Sequence, residues 1–407
     1  MKPAAFIASR IFSLSRYDIS STVMRIAVIS VAIGLAVMLV SVAIVMGFKN
    51  QIREKVLGFV APIHIQRLNN NETIEETPIV FDSLLIHQLE QVEGIDFMQC
   101  TAHKMGIIKT DDQIQGCILK GVGSDYNWLY FEKNLVSGTI PEYHDTMRSD
   151  KILISKKIAE KLTLDIDDPV RMWFIDNAQQ ARGRRFIVSG IYETGLTEFD
   201  ERYLFGDMNQ IRRLNEWNND AVGVIEIWTK SLADVNRVNE AIYFSLPIEL
   251  ASYSAMETYP HIFDWLDLQD MNVVIIIILM VLVSGITMIS MLLIIILERT
   301  STIGLLKSLG ATNGLIAEIF LFRSFKILLY GLLLGNFIGI GFCLLQHYTG
   351  FISLPSDSYY LSSVPIDLSI GSVLIINASA LLLWFSLLLI PTTVISKIVP
   401  SKSLKFD

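Results

Sequence analysis

Four long stretches of the chain contain no charged residue, and they define its organisation. They are Ile26–Phe48, Met271–Leu297, Ile327–Leu345 and Leu368–Ser396. A helix of about 20 apolar residues crosses the hydrocarbon of a membrane, so each stretch is long enough for one transmembrane helix. The pattern predicts an α-helical membrane protein with four transmembrane helices, with a large polar segment between helices 1 and 2.

The polar segment, residues 49–270, mixes two kinds of pattern. "PVRMWFID" and "RRFIVSGIY" are typical of strands, whereas "DKILISKKIAEKLTL", "MNQIRRLN" and "ADVNRVNEAIYFSL" have apolar residues at helical spacing. This combination predicts an α+β domain. Helical spacing also continues through Phe59 after the first membrane helix and from Ile262 before the second, which predicts helical stalks. Ordinary helix ends packed under the domain explain the same spacing.

Charge divides the chain into an acidic part and a basic part. Residues 49–270 contain 22 Lys and Arg against 35 Asp and Glu, whereas the rest of the chain contains 11 against 6. Basic residues close to membrane helices mark the cytoplasmic side, and here they lie in the N-terminal arm, in 298–326 and in the C-terminal tail. We therefore expect both termini and 298–326 to be cytoplasmic, with 49–270 and 347–367 outside.

The N-terminal arm has an apolar stripe that suits a helix lying in the membrane interface, although a disordered lead-in is the alternative. The full set of predicted segments is an N-terminal cytoplasmic interfacial helix (1–25), transmembrane helix 1 (26–48), the extracytoplasmic α+β domain with helical stalks (49–270), transmembrane helix 2 (271–297), a short cytoplasmic helix (298–316), transmembrane helix 3 (317–346), an outer loop (347–367), transmembrane helix 4 (368–396) and a cytoplasmic tail (397–407).

The sequence contains none of the common motifs for a metal site or for ATP binding. The histidines have neither H-E-x-x-H nor Cys/His ligand spacing, and there is no G-x-x-x-x-G-K-[ST] phosphate loop. We therefore predict no catalytic residue, no metal site and no ATP bound by this chain. A hairpin turning near Asp111–Asp112 would separate Cys100 from Cys117, which predicts two buried free thiols.

A short polar stretch, "ILERTSTIGLLKSLGATNG" (296–314), separates the second and third uncharged stretches. Glu298 and Arg299 belong at the membrane surface, because a charge at the bilayer centre costs about 2.5–3.5 kcal/mol. Gly310 is placed to end a helix in a left-handed conformation, and Thr312 or Asn313 to begin the next. These features predict a short cytoplasmic helix whose leucines meet lipid headgroups or a protein partner.

This stretch resembles the coupling-helix motif of the FtsX-like, MacB-type permeases of ABC transporters, E-K/R-x-x-E-I-G-x-L-K-A-x-G-A. The resemblance implies that the helix docks on a separate ATPase subunit, which binds ATP and Mg. Thr302 stands in place of the family's glutamate, which removes one possible ionic contact. The residues that match are Glu298, Arg299, Ile303, Gly304, Leu306, Lys307, Gly310 and Ala311.

Two further segments are similar to the lipoprotein-releasing permeases of LolC/LolE type. One is the first uncharged stretch with its "VMGF" exit, and the other is the outer loop "LPSDSYYLSSVPIDLS" (354–369). The resemblance implies a bacterial inner-membrane permease that works with a LolD-like ATPase and a second permease copy or paralogue. In that family a hook-shaped loop recruits a soluble lipoprotein chaperone. The corresponding connection here, about 176–185, is short, and Arg182, Arg184 and Arg185 are the candidates for contacting an acidic chaperone.

Two sets of residues are candidates for the membrane part. Gly331, Gly335 and Gly339 repeat every four residues, which lets helix backbones approach closely; we favour packing within the chain over a seam between subunits. If the cargo is a lipoprotein, helices 1 and 2 line an apolar groove, for which flexible side chains suit varied lipids. A plain lipid-facing surface explains the groove candidates equally well. These candidates are Met38, Met46, Ile275 and Met280.

The leading hypothesis is a permease subunit that extracts lipoproteins from the inner membrane for delivery toward the outer membrane, using the ATPase of a partner. Two alternatives stay open. One is a MacB-like efflux or export permease, and the other is an FtsX-like regulator that relays ATPase movement to an external cell-wall hydrolase. A membrane enzyme is disfavoured, and so is a nucleic-acid partner.

Overall fold

A computed structural model describes residues 19–68, 76–81, 83–110, 113–144, 147–175, 180–355, 361–393 and 395. The chain divides into two compact units. The helical unit consists of Met1–Asn50, Trp265–Ser353 and Ser363–Asp407, and the domain unit consists of Gln51–Asp264 and Leu354–Ser362. The interfacial helix predicted for 1–25 falls largely outside the described residues.

Twelve helices and twelve strands are named here for the described ranges. The helices are α1 (Ile19–Phe59), α2 (Ser83–Glu90), α3 (Leu129–Lys133), α4 (Lys156–Leu162), α5 (Thr197–Asp200), α6 (Met208–Leu214), α7 (Val235–Ser245), α8 (Ala255–Thr258), α9 (Pro260–Glu298), α10 (Thr300–Ser308), α11 (Asn313–Thr349) and α12 (Ile370–Thr392). The strands are β1 (Ile63–Arg67), β2 (Ile79–Val80), β3 (Ile95–Lys109), β4 (Ile114–Val122), β5 (Leu135–Gly138), β6 (Lys151–Ser155), β7 (Pro169–Ile175), β8 (Ala181–Tyr192), β9 (Tyr203–Asp207), β10 (Ala221–Val222), β11 (Val224–Thr229) and β12 (Leu250–Ser254).

Four of the described helices, α1, α9, α11 and α12, are long and apolar enough to cross a membrane, and the predicted architecture is confirmed. Three of them, α1, α9 and α11, are longer than a crossing needs. Helix α1 has 41 residues and α9 has 39, which at 1.5 Å per residue is about 60 Å, roughly twice the thickness of the hydrocarbon. The predicted extensions are therefore helical: α1 continues to Phe59, and α9 begins at Pro260.

The domain unit is built on one large mixed sheet. Nine strands follow the order β12-β1-β11-β3-β4-β9-β6-β8-β5, and β7 pairs with both β3 and β8. Because of this double pairing, β3, β4, β9, β6, β8 and β7 form a closed ring. The pairs β4–β9 and β6–β8 are parallel. The buried apolar side chains of the ring, such as Leu119, Met172 and Phe186, fill its interior.

The hairpin predicted around Asp111–Asp112 is the β3–β4 pair. Cys117 lies opposite Gly106, which keeps it away from Cys100 on the same sheet. Both cysteines are free and buried, as predicted. Burial raises the pKa of the Cys100 and Cys117 thiols to about 12, so both stay protonated at neutral pH and neither is a reactive thiolate.

Candidate functional site

The short helix predicted from the polar stretch is α10. It begins directly after α9, with Arg299 as the single residue between them. It ends in a Schellman motif: the Gly310 N–H donates to the Lys307 carbonyl at 3.0 Å, and the Ala311 N–H donates to the Leu306 carbonyl at 2.9 Å. Gly310 has a φ of 92°, a conformation that favours glycine. The predicted helix end is confirmed.

The next helix begins as predicted. The Thr312 hydroxyl accepts a hydrogen bond from the Leu315 N–H at 3.3 Å, so Thr312, and not Asn313, caps α11. This cap occupies one of the free N–H groups at the helix start. The two caps are separated by one residue, so the direction of the chain between α10 and α11 is closely defined.

Helix α10 has a buried face and an exposed face. Ile303 is 1% exposed, Gly304 is also buried, and Leu306 and Ala311 pack against the apolar core of the helical unit. Lys307 is fixed as well, because its Nζ donates to the Ile395 carbonyl at 2.8 Å. Most of the residues that match the family motif therefore hold α10 in place.

The exposed face contains other residues. Leu305 is 52% exposed and Leu309 is 77% exposed, and Ser301 and Ser308 lie beside them. Of the predicted coupling residues, Glu298 and Gly310 are exposed, and Arg299 is half-buried. Exposed leucines on this helix were expected from the sequence, but Leu305 and Leu309 were not among the predicted coupling residues. Two exposed leucines on a short fixed helix suit an apolar partner surface.

The glycines of α11 pack against α1 of the same chain. A Cβ added to Gly331 would lie 2.5 Å from Val31 Cγ1, one on Gly335 would lie 2.8 Å from the Ala32 carbonyl oxygen, and one on Gly339 would lie 3.1 Å from Ala36 Cα. This close contact between backbones is the intramolecular packing that we favoured. In the same helix Gly341 faces open space, so the contact is limited to one stripe.

A polar contact that the sequence analysis missed joins α11 to α12. Asn336 and Asn377 exchange hydrogen bonds through their side-chain amides, at 2.7 and 2.9 Å. Both lie within uncharged stretches, and polar side chains in such stretches bond across helices. The presence of an asparagine in each of these two otherwise apolar helices could have indicated this contact from the sequence.

The four groove candidates do not share one environment. Met38 is 1% exposed and belongs to the core of the helical unit, so its assignment to an open groove is wrong. Met280 is half-buried against the same core. Met46 and Ile275 are exposed and remain candidates. Helices α1 and α9 meet at Gly34, where the Ser284 hydroxyl donates to the Ser30 carbonyl at 3.2 Å.

The two segments that resemble lipoprotein-releasing permeases meet in the helical unit. Gly47 of "VMGF" lies under Pro365, since an added Cβ would be 2.6 Å from the Pro365 carbonyl oxygen. The Asp367 N–H donates to the Ala43 carbonyl at 3.0 Å, and its carboxylate accepts from the Asn50 side chain at 2.5 Å. Gly47 is thus required for the outer loop to approach α1.

The three candidate arginines are on a strand and not in the connection between strands. Strand β8 begins at Ala181, so the connection is confined to 176–180. Arg182 and Arg184 lie opposite Phe174 and Met172, whereas Arg185 lies opposite Arg171 on the other face of the sheet. The three side chains therefore do not form one patch. Burial, followed by the charge of Arg213, lowers the pKa of Arg184, which indicates further positive charge on its side.

A buried polar cluster lies beneath the outer face of β3 and β4. Lys120 Nζ is 2.7 Å from Glu226 Oε1, and the Gln99 amide donates to Glu226 Oε2 at 2.9 Å. Burial opposes ionisation of Glu226, but the charge and hydrogen bond of Lys120 prevail and lower its pKa. Close by, His103 Nδ1 is 2.7 Å from Glu76 Oε1.

Comparison with known proteins finds two family domains, one over the first part of the chain and one over the last. Residues 25–243 match the MacB-like periplasmic core domain, and residues 274–400 match the FtsX-like permease C-terminal domain. The chain is 22% identical over 389 residues to the lipoprotein-releasing system transmembrane protein LolC of Buchnera aphidicola, covering 93% of this chain and 92% of that protein. It is 21% identical to LolC of Neisseria meningitidis, with 96% of each covered. It is 20% identical to LolE of Haemophilus influenzae, with 93% of each covered.

Proposed function

Because this chain belongs to the family of FtsX-like ABC permeases with a MacB-like periplasmic core domain, we propose that it extracts lipoproteins from the inner membrane for delivery toward the outer membrane. Relatives named for lipoprotein release match over more than nine-tenths of the chain. The observation that carries the proposal is α10, a short capped helix anchored on one side, with leucines exposed on the other.

The motor is a separate ABC ATPase of LolD-like type, which binds ATP and Mg. Leu305 and Leu309 are the side chains that we propose enter its apolar surface, and Glu298, which is also exposed, is a further candidate contact. Ile303, Leu306 and Lys307 transfer the movement inward, because they attach α10 to the core of the helical unit. Under this proposal α10, both termini and the ATPase are in the cytoplasm.

Lipoprotein extraction needs such a motor. Removing an acyl chain from the bilayer costs about 0.8 kcal/mol for each CH₂, so a chain with about 15 buried methylenes resists by roughly 12 kcal/mol. Three chains resist by several times more, which far exceeds thermal energy. The exposed apolar flank of α9, which includes Ile275, Leu279 and Leu282, supports a first contact with the acyl chains, and Met46 supports the same on α1.

Delivery requires an acceptor outside the membrane, and the surface around the β7–β8 hairpin is the proposed site for a lipoprotein chaperone. Arg171 and Arg185 lie directly opposite each other on its outer face. Like charges in this arrangement repel, so an acidic partner would relieve the repulsion. Arg182 and Arg184 face the other side and would contact the same partner only if it wraps around the hairpin.

Reconstitution tests the proposal. The chain, its permease partner and the LolD-like ATPase are placed in proteoliposomes with a triacylated lipoprotein, and ATP-dependent release to a soluble chaperone is measured. The control is the same cargo with its lipidated cysteine replaced by serine, added to the outside. Release restricted to the acylated cargo is expected. Transport of the soluble control would instead indicate a MacB-like exporter, and ATP hydrolysis with capture of a cell-wall hydrolase would indicate an FtsX-like regulator.

A further inference from the structure

Two adjoining cavities form a groove on the outer face of the sheet in the domain unit. The larger has a volume of about 660 Å³ and the smaller about 230 Å³. His103, Met105 and Ile118 belong to the walls of both. The larger volume is in the range of pockets that bind small molecules.

The larger cavity has mostly apolar walls, together with the charged residues Glu201 and Arg202. Its walls include Met105 and Ile107 from β3 and Trp173 and Ile175 from β7. The pairing of Ile107 with both Gly116 and Trp173 places these strands side by side on one face. All four apolar side chains are substantially exposed, which is unusual for a contiguous group on a protein surface and marks a binding site.

Two glycines shape the cavity. A Cβ added to Gly116 would meet no atom within 4 Å, so the space above this residue belongs to the groove. Gly183 has the opposite role, because its missing side chain lets the ring of Trp173 lie against β8, with the added Cβ 3.1 Å from the ring. The groove therefore has an open floor at Gly116 and a supported aromatic wall at Trp173.

The smaller cavity has polar walls as well as apolar ones such as Phe59 and Val224. Lys120 is paired with Glu226, and His103 with Glu76, each at 2.7 Å. A neutral occupant leaves these two contacts in place, whereas a charged occupant would compete with them. An uncharged chain complements the groove better than an ionic ligand does.

The direction of the groove is also informative. The polar end includes Phe59, the last residue of α1, and Tyr259, which directly precedes α9. The apolar end includes Ile175, the last residue of β7 before the hairpin connection. The groove thus runs within the domain unit from the ends of the two long helices to the proposed chaperone surface.

We infer that this groove is a binding site for one acyl chain of the lipoprotein cargo, between extraction and transfer to the chaperone. The inference rests on the proposed function, because it assigns the occupant as cargo. The apolar walls at Ile107 and Trp173 contact the methylenes, and the flexible side chain of Met105 adapts at the junction of the two cavities.

Photocrosslinking in the complete complex tests the inference. A lipoprotein with diazirine groups in its acyl chains is reconstituted with the chain, its permease partner and the ATPase, and crosslinked peptides are mapped by mass spectrometry. Crosslinks to the peptides with Ile107 and Trp173 are expected during ATP turnover. If release proceeds while crosslinks are confined to α1 and α9, the groove is not on the path, although the proposed function stands. If the wild-type complex releases no lipoprotein, the proposed function itself fails.

A groove-filling variant gives a second readout. Gly116→Phe places a ring in the open space and should reduce both the crosslinks and the release rate at least tenfold. Leu84→Phe is the control, since Leu84 is exposed on α2 outside the cavity walls and away from the β7–β8 hairpin, and it should release cargo like the wild type. If Gly116→Phe does not fold, a photoreactive phenylalanine at Ile107 replaces it. Equal capture of diazirine phospholipid without cargo would overturn the assignment.

Discussion

Some side chains of α10 attach the helix to the core of the helical unit, and others are exposed and available to a partner. A match to the family motif does not distinguish these two groups. The sequence correctly predicted the helix and its end at Gly310, and it left Thr312 and Asn313 as alternative caps of the next helix, of which Thr312 is the one observed. The helical period shows that Ile303 and Leu306 share one face and that Leu305 and Leu309 share another. It does not show which face is covered, because that depends on how α10 packs against α11 and on the contact with Ile395, which is distant in sequence.

Leu309→Asp should weaken ATPase binding without unfolding the chain. Burying a leucine in a partner is worth about 1.5–3 kcal/mol, so the dissociation constant should rise roughly 10-fold to 100-fold. The measurement is ATPase binding to the purified chain in detergent. Ile303→Ala is the contrasting variant: it should lower thermal stability and leave the affinity of the folded fraction unchanged. Equal ATPase binding by Leu309→Asp and the wild type would remove Leu309 from the interface.

His64 makes the stability of the domain unit sensitive to pH. Burial lowers its pKa to about 4 from an ordinary value of 6.5, and Thr258 Oγ1 lies 2.8 Å from its Nε2. The unfolded chain therefore binds a proton that the folded chain excludes, so stability falls as pH drops from 6.5 to about 4. A pKa shift of this size lowers the free energy of unfolding by roughly 3 kcal/mol over that pH interval.

Thermal unfolding followed by tryptophan fluorescence between pH 7.5 and 4 checks this prediction. His64→Gln should remove that part of the pH dependence. His87→Gln should leave the curve as in the wild type, because His87 is 82% exposed. Parallel curves for His64→Gln and the wild type would show that His64 is not the responsible group.

Individual helices and strands could be predicted from local sequence patterns. The elements that they pair with or pack against were harder to predict. The strands β7 and β8 were both expected, yet the arginines at the start of β8 were assigned to a loop. Gly183 among arginines is a poor strand signal, and it is the contact of Trp173 with that glycine that extends the pairing to Ala181. The glycine stripe of α11 was predicted as a packing surface from its spacing alone, but its partner α1 follows only from the three-dimensional structure.

The α1–α11 contact gives a prediction at this scale. Gly335→Leu should destabilise the helical unit by at least about 1–3 kcal/mol, because a side chain there meets the backbone of Ala32, which cannot move aside cheaply. Gly341→Leu is the matched control on the same helix, with no atom within 4 Å of an added Cβ, and should change stability by no more than about 0.5 kcal/mol. Thermal unfolding of both variants in micelles compares them. Equal stability of the two would contradict tight packing at Gly335.

At the scale of the whole molecule, the succession of four membrane helices and an inserted domain could be predicted, because uncharged stretches are a strong local signal. The closed ring of strands could not. It depends on the pairing of β7 with β3, which are separated by β4, β5 and β6 in sequence, and no local pattern records such a contact. The assignment of Met38 to a lipid groove was wrong for a related reason. An apolar residue in a membrane helix faces either lipid or the other helices, and composition alone does not decide between them.

The orientation of the molecule rests on charge. Basic residues adjacent to membrane helices favour the cytoplasmic side, and they surround α10, whereas 347–367 contains neither lysine nor arginine. We therefore expect Ser308→Cys, exposed at the end of α10, to react with a membrane-impermeant maleimide only after the inner membrane is opened. Thr349→Cys, exposed at the other end of α11, should react in cells with only the outer membrane permeabilised. The three native cysteines are buried and provide the background measurement. Labelling of Ser308→Cys from outside would place α10 where no ATPase can bind it, and the proposed coupling would be impossible.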